Sequence, residues 1–246
     1  MEYNLVDIQN RLILKDDVDV FVNYKDENKL DEKYIHPAGT WSHSDACIKW
    51  IASIFILESI EKKDRRYKNG VVPLKIVDLG AGDGPVAHMV ADKGHDVVGV
   101  DVRSYNFLYQ SLAVMVTRDA MEYLKEYEDN SVDVFMDGCA VTHFNTEGDK
   151  ETPNFGWRNI FESVYRIMKP GGYFICLSDI KIGTETITGE FIIPEDIVRM
   201  AEETGLILTS EYNYSRGTGD GLGSDHFEHS CQLGVASFLF TKNGVT

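Results

Sequence analysis

From residue 74 onward the chain alternates two hydrophobic rhythms. Short runs that are apolar throughout give way to longer segments whose apolar residues recur every three or four positions. LKIVDL (74–79), HDVVGVDV (95–102), VDVFMD (132–137) and GGYFICLSD (171–179) are of the first kind, with AVMVT (113–117) a weaker case. Such runs predict strands buried on both faces. Helical spacing fills residues 85–93, 105–112, 119–127, 157–168 and 194–205, the last opening on Pro and closing on Gly. The alternation predicts a parallel, doubly wound α/β sheet with helices on both faces. The two final strands, LILTSEYNY (206–214) and LGVASFLFTK (233–242), have no helix between them, which predicts an antiparallel hairpin.

Upstream, SDACIKWIASIFILESIEKKDRR (44–66) has helical spacing, with Ser44 or Asp45 as cap and a basic last turn. Residues 1–35 are strongly charged. The expected division is an N-terminal extension or cap over the active site, residues 1–43, followed by one domain, residues 44–246.

Composition narrows the class. Of 246 residues 43% are hydrophobic, enough for a packed core, so wholesale disorder is excluded. The formal net charge is −16, which repels phosphate backbones and anionic membrane, so no DNA partner is expected. KKDRRYK (62–68) is the one basic cluster. Cys47, Cys139, Cys176 and Cys231 share no CxxC spacing and read as free thiols of a reducing compartment. The N-terminus has no basic segment followed by an apolar run, and the longest apolar stretch (51–60) is about half of a membrane span. A soluble cytoplasmic protein, monomer or homodimer, is expected.

The chemistry starts at IVDLGAGDG (76–84), where three glycines at every second position follow a strand. A dinucleotide fold uses GxGxxG, with the pyrophosphate on the following helix. Here the spacing is Gly80, Gly82, Gly84, followed by Pro85, which has no N–H to give a phosphate. Asp83 inside the turn disfavours phosphate further. Four more features follow at regular intervals. Asp101 ends the second strand, where a carboxylate can accept both hydroxyls of a ribose. Asp119 and Ala120 follow the third strand and can meet an adenine edge. Asp137-Gly138 ends the fourth strand, and a Lys-Pro-Gly-Gly turn leads into the fifth.

As a set, IVDLGAGDG, GVDV, RDAM and MKPGGYFICLSD resemble the motifs of the class I S-adenosylmethionine-dependent methyltransferases. The resemblance covers about residues 74–179 with a plausible tail to 242, and it picks out no subfamily. It implies a Rossmann-like sheet of seven strands, mostly parallel, with the last strand antiparallel. It implies S-adenosyl-L-methionine as cofactor and S-adenosyl-L-homocysteine as product. Carried over position by position, Asp78 braces the glycine turn or the methionine amino group. The backbone of Gly80, Ala81, Gly82 and Gly84 lets the cofactor's amino-acid part lie close. Asp101 holds the ribose, Val102 and Arg103 flank the adenine, Asp119 and Ala120 meet its edge, and Asp137 joins this cofactor-facing set. Plainer roles stand beside these: Asp78 as a strand-end carboxylate, and Asp119 as a helix N-cap.

The acceptor side is less defined. His143, in the segment after the fourth strand (137–157), and Asp179, at the end of the fifth, are the candidates for base or substrate contact. Trp41 and His43 are candidates to close the site from the N-terminal side. His226 and His229, in the glycine-rich segment 216–231, are candidates for a lid. A bare HxxH is too weak a pattern to predict a metal, and none is expected. The expected activity is methyl transfer to an oxygen or nitrogen of a small molecule, a metabolite or sugar. The alternatives are a methyltransferase acting on protein or RNA, and a catalytically silent cofactor-binding subunit.

Overall fold

The computed structural model describes residues 73–82, 84–102, 112–138, 140–141, 155–181, 194–209, 213–216 and 233–244. Trp41, His43, Arg103, His143, His226 and His229, the helix expected at 44–66, and all but the last residue of that expected at 105–112 lie outside the described residues.

Five strands run parallel. β1 (Lys75–Leu79) is central, with β2 (Asp96–Asp101) and then β3 (Val114–Thr117) on one side, and β4 (Val132–Gly138) and β5 (Met168–Lys181) on the other. β8 (Leu233–Lys242) pairs antiparallel with β5, and β6 (Leu206–Leu208) and β7 (Asn213–Arg216) both pair antiparallel with β8. The expected antiparallel pairing of the two final stretches is therefore present. The seven expected positions are filled in the order β3-β2-β1-β4-β5-β8-β6, but among the described residues the stretch 206–214 is divided, β7 pairing with β8 beside that path. Leu208 faces Phe240 while Asn213 faces Ser237, five residues on one strand against three on the other. That two-residue slip of register divides one edge position between β6 and β7.

A second departure is at Lys169–Gly172, expected as a turn before the fifth strand. It is instead a bulge within β5: Val132 faces Met168, yet Val134 faces Tyr173. Pro170 cannot donate to a ladder and Gly171 has φ 78, so the chain bulges where these residues permit it.

The helices are α1 (Pro85–Asp92), α2 (Ala120–Leu124), α3 (Phe155–Ile167) and α4 (Pro194–Glu203). In α3, Trp157, Ile160, Phe161, Val164 and Ile167 recur at helical spacing and are all buried. They meet Val77, Leu79, Phe135, Phe174, Phe238 and Phe240 from the sheet, together with residues of α2 and α4. Phe161 is the hub, its ring centroid 5.6 Å from that of Phe240 and 6.2 Å from that of Phe174. Truncating such a core aromatic costs about 3–5 kcal/mol.

Strand alternation sends Ile76 and Asp78 to the opposite face, where α1 packs against β2. Helices thus cover both faces. Strand order reverses between β1 and β4, so the ligand crevice of such a sheet opens beside the carboxyl end of β1.

Candidate functional site

The register fixes which residues meet at that crevice. Leu79, the last residue of β1, is level with Val100 of β2 and Asp137 of β4, and Asp101 is level with Thr117 of β3. The glycine turn after Leu79 is therefore flanked by two strand-end carboxylates, Asp101 and Asp137.

Gly80, Gly82 and Gly84 have φ of 61°, 60° and 81°, a region where a side chain is strained. That is the physical reason for glycine at every second position. The turn folds back on the sheet through Ala81 N–H donating to Val100 O at 3.0 Å, and closes through Gly84 N–H donating to Ala81 O at 3.0 Å. Gly84 is then the N-cap of α1, with Pro85 opening the helix. A Cβ added at Gly82 meets nothing within 4 Å, so the turn's outer side admits close approach by a bound group.

Sequence reasoning did not anticipate how the turn is held. Asp101 Oδ2 accepts the Gly82 N–H at 2.9 Å, a brace from the neighbouring strand. The carbonyl of Asp101 also accepts Arg118 N–H at 2.8 Å, tying the end of β2 to the segment before α2. Next along the chain, Val102 is 69% exposed, an apolar side chain open at the rim. Such a surface suits one face of an adenine ring.

Asp119 takes the N-cap of α2: its Oδ1 accepts Glu122 N–H at 3.0 Å. The carboxylate is exposed, and the methyl group of Ala120 belongs to the core. Asp78 is wholly buried in β1, level with Gly99 of β2 and Met136 of β4.

Asp137 is wholly buried as well. Its Oδ1 accepts Ala140 N–H at 3.0 Å and Val141 N–H at 3.2 Å, and its Oδ2 accepts the Cys176 thiol at 3.8 Å. Burial first, and then the Asp137 carboxylate, push the Cys176 thiol up from its ordinary range, so it stays protonated as a donor. Asp137 points toward the face covered by α3, shared by Phe135 and Cys176, two residues away and on the adjacent strand. Strand parity is the signal that could have shown this from sequence. The backbone of Asp179 pairs with that of Val235 near the end of β5.

Two buried histidines support the scaffold beneath the site. His88 of α1 accepts Leu112 N–H on Nδ1 at 2.9 Å, and His95 accepts Leu74 N–H on Nδ1 at 3.3 Å. Burial lowers the pKa of His88, against an opposing pull from Asp92. Among the described residues no group of His, Cys, Asp and Glu is arranged to hold a metal, and no helix is long and apolar enough to cross a membrane.

Residues 77–176 match a family model described as "Methyltransferase domain". Over 139 residues the chain is 29% identical to the mitochondrial 2-methoxy-6-polyprenyl-1,4-benzoquinol methylase of Schizosaccharomyces pombe, covering 46% of this chain and 40% of that protein. The fold is shared with a phosphoethanolamine N-methyltransferase 2 of Haemonchus contortus in complex with S-adenosyl-L-methionine (TM-score 0.50, 19% identity, 73% of this chain and 51% of that one). It is also shared with the [4+2]-cyclase SpnF (TM-score 0.58, 15% identity, 93% of each chain). A third is the 1,6-didemethyltoxoflavin-N1-methyltransferase of Burkholderia thailandensis (TM-score 0.51, 12% identity, 96% of this chain and 89% of that one). The match spans about two fifths of the curated relative and about half of the phosphoethanolamine enzyme.

Proposed function

We propose that this chain, which belongs to the class I S-adenosylmethionine-dependent methyltransferases, moves a methyl group to an oxygen or nitrogen of a small metabolite or sugar. The observation that carries the reading is the glycine turn. Three left-handed glycines form it, the ribose-side carboxylate braces it at Gly82, and space is open beside Gly82. When bound, S-adenosylmethionine supplies an electrophilic methyl on a sulfonium centre.

The chain's own residues orient it. The backbone of Gly80–Gly84 lies along the amino-acid part, and Asp78 stands behind that turn. Asp101 serves as both brace and ribose acceptor, since a carboxylate has several lone pairs and Gly82 N–H engages one oxygen. Val102 and Arg103 flank the adenine. Asp119 caps α2 with one oxygen and meets the adenine amino group with the other, beside Ala120. Asp137 acts from inside the wall: by holding Ala140 and Val141 it fixes the direction in which the segment containing His143 leaves β4.

Methyl transfer needs the acceptor in line with the sulfur–methyl bond and water excluded, and most of the acceleration comes from that alignment. His143 and Asp179 are assigned to the acceptor, as base or substrate contact. Trp41 and His43, in a cap of residues 1–43, and His226 and His229 are assigned to closing the site over the domain of residues 44–246. A small-molecule acceptor rests on the acidic composition and on KKDRRYK (62–68) being the one basic cluster, and a cytoplasmic location on four cysteines without CxxC spacing.

The test is turnover. The full chain is incubated with S-adenosylmethionine and a panel of small hydroxyl and amine acceptors. S-adenosylhomocysteine release matched by an acceptor heavier by one methylene supports the reading. Release only with RNA or protein moves the acceptor to a macromolecule. Tight cofactor binding with no release across the panel supports the silent subunit instead. The cyclase with the shared fold is a reminder that this fold does not by itself fix the reaction.

A further inference from the structure

We infer that Met115 is a positioning residue for the cofactor: its thioether reaches from β3 across Gly99 and supports the glycine turn from the sheet side. The inference rests on the reading that this turn carries the amino-acid part of S-adenosylmethionine. Met115 and Gly99 are direct neighbours in the β2–β3 ladder. Because Gly99 has no side chain, the long Met115 side chain can lie over it. A Cβ built on Gly99 comes within 2.7 Å of both Met115 Sδ and Cε, and one built on Gly84 comes within 2.8 Å of the same two atoms. One thioether therefore rests against two glycines fifteen residues apart in sequence, one in β2 and one closing the turn.

Two side chains hold the turn. Asp101 Oδ2 takes the Gly82 N–H at 2.9 Å, and the Met115 thioether lies against Gly84. Asp101 comes from β2, beside β1, and Met115 from β3, the next strand out, two residues before Thr117, the register partner of Asp101. Methionine suits the place because an unbranched, rotatable thioether fills an irregular gap that a β-branched side chain cannot span. Its place is not accounted for by the core, since β3 is an edge strand and Met115 is only half-buried. What it touches is the turn, and a misplacement of about 1 Å at a positioned group can cost on the order of a hundredfold.

The experiment uses the full chain and two ligands, S-adenosylhomocysteine and methylthioadenosine, which lacks the amino-acid part. Calorimetric affinities are measured for the wild type, Met115→Ala, Met115→Leu and Gly99→Ala, together with the unfolding midpoint of each. Met115→Ala is expected to weaken S-adenosylhomocysteine at least about tenfold and methylthioadenosine by less than about threefold, because only the turn moves. Met115→Leu, close in volume, stays within about threefold of wild type for both. Gly99→Ala presses a Cβ against the thioether and also against the Ala81 methyl at 2.9 Å, so the share carried by Met115 is the part of its selective loss of S-adenosylhomocysteine that disappears when Met115 is already alanine. Should Met115→Ala not fold, Met115→Val, which is β-branched and too short to reach Gly84, decides by the same selectivity. Equal losses on both ligands, or no loss on either, overturn the inference and leave Met115 as packing alone. If the wild type binds neither ligand, the reading of the turn itself fails and takes this inference with it.

Discussion

β4 carries two aspartates four residues apart, and they do different work at the two ends of the sheet. At the N-terminal end, Asp133 accepts Lys75 N–H at 2.9 Å and is bridged by Lys169 Nζ at 2.8 Å. It joins β1, β4 and the β5 bulge with a charge met by an opposite charge. At the C-terminal end, Asp137 is wholly enclosed and is met by two main-chain N–H groups and a thiol. There it stands beside the turn that Asp101 braces. One end of the parallel strands uses its carboxylates to close the scaffold; the other uses them to hold backbone segments that border the crevice. The same residue type, on the same strand, is therefore read differently by its level in the sheet.

That contrast can be broken or sharpened by substitution, beginning with the largest effect. Asp101→Ala should weaken S-adenosylhomocysteine by about a hundredfold or more in calorimetry, since hydrogen bonds to a charged acceptor contribute about 1.5–3 kcal/mol each and a ribose offers two. Its unfolding free energy should fall by about 1.5 kcal/mol, the low end for a bond to a charged acceptor, since the lost Gly82 bond is only part-buried. Asp137→Ala should do the reverse. Orphaning two buried N–H groups costs about 2–4 kcal/mol, measured as a lower urea midpoint. Adenosine affinity should survive in the fraction that folds.

Lys169→Met removes the cation from Asp133. The pair is part-exposed, so about 1 kcal/mol of stability should go, with cofactor affinity unchanged. If that variant loses cofactor affinity as Asp101→Ala does, the two ends are not separable as described.

The smallest effect is in pH. His88 must be neutral to accept Leu112 N–H, and its folded pKa lies below the ordinary 6.5. Protons then bind the unfolded chain more readily. The stabilisation is complete above about 6.5 and is lost as pH falls from there toward the folded pKa. His88→Gln, which keeps an acceptor that does not titrate, should flatten the urea midpoint against pH in that window.

Much of this architecture is legible in the chain. Val, Ile and Phe runs mark β1, β2, β4 and β5 because strands buried on both faces need no polar alternation. Glycine at 80, 82 and 84 marks the turn because its backbone conformation excludes side chains. Asp119 shows both of its readings at once, and the cap is the one visible in the fold. Other features are not local properties. The two-residue slip between β6 and β7 is set by β8, some twenty-five residues away, so 206–214 reads as one strand. The Lys-Pro-Gly-Gly bulge looks like a turn until β4 fixes its register. Met115 has no motif, since its meaning comes from the missing side chains of Gly99 and Gly84. Asp137 lay within reach of a parity argument: two residues from Phe135, it must share that residue's face, the one under α3.

The most direct test of the account is calorimetric titration of the full chain with S-adenosylhomocysteine and, separately, with NAD. The account predicts micromolar binding of the first and none of the second, because the turn presents open glycine backbone and a ribose carboxylate but a proline where a pyrophosphate needs an N–H. Binding of NAD, or no binding of S-adenosylhomocysteine, would contradict it.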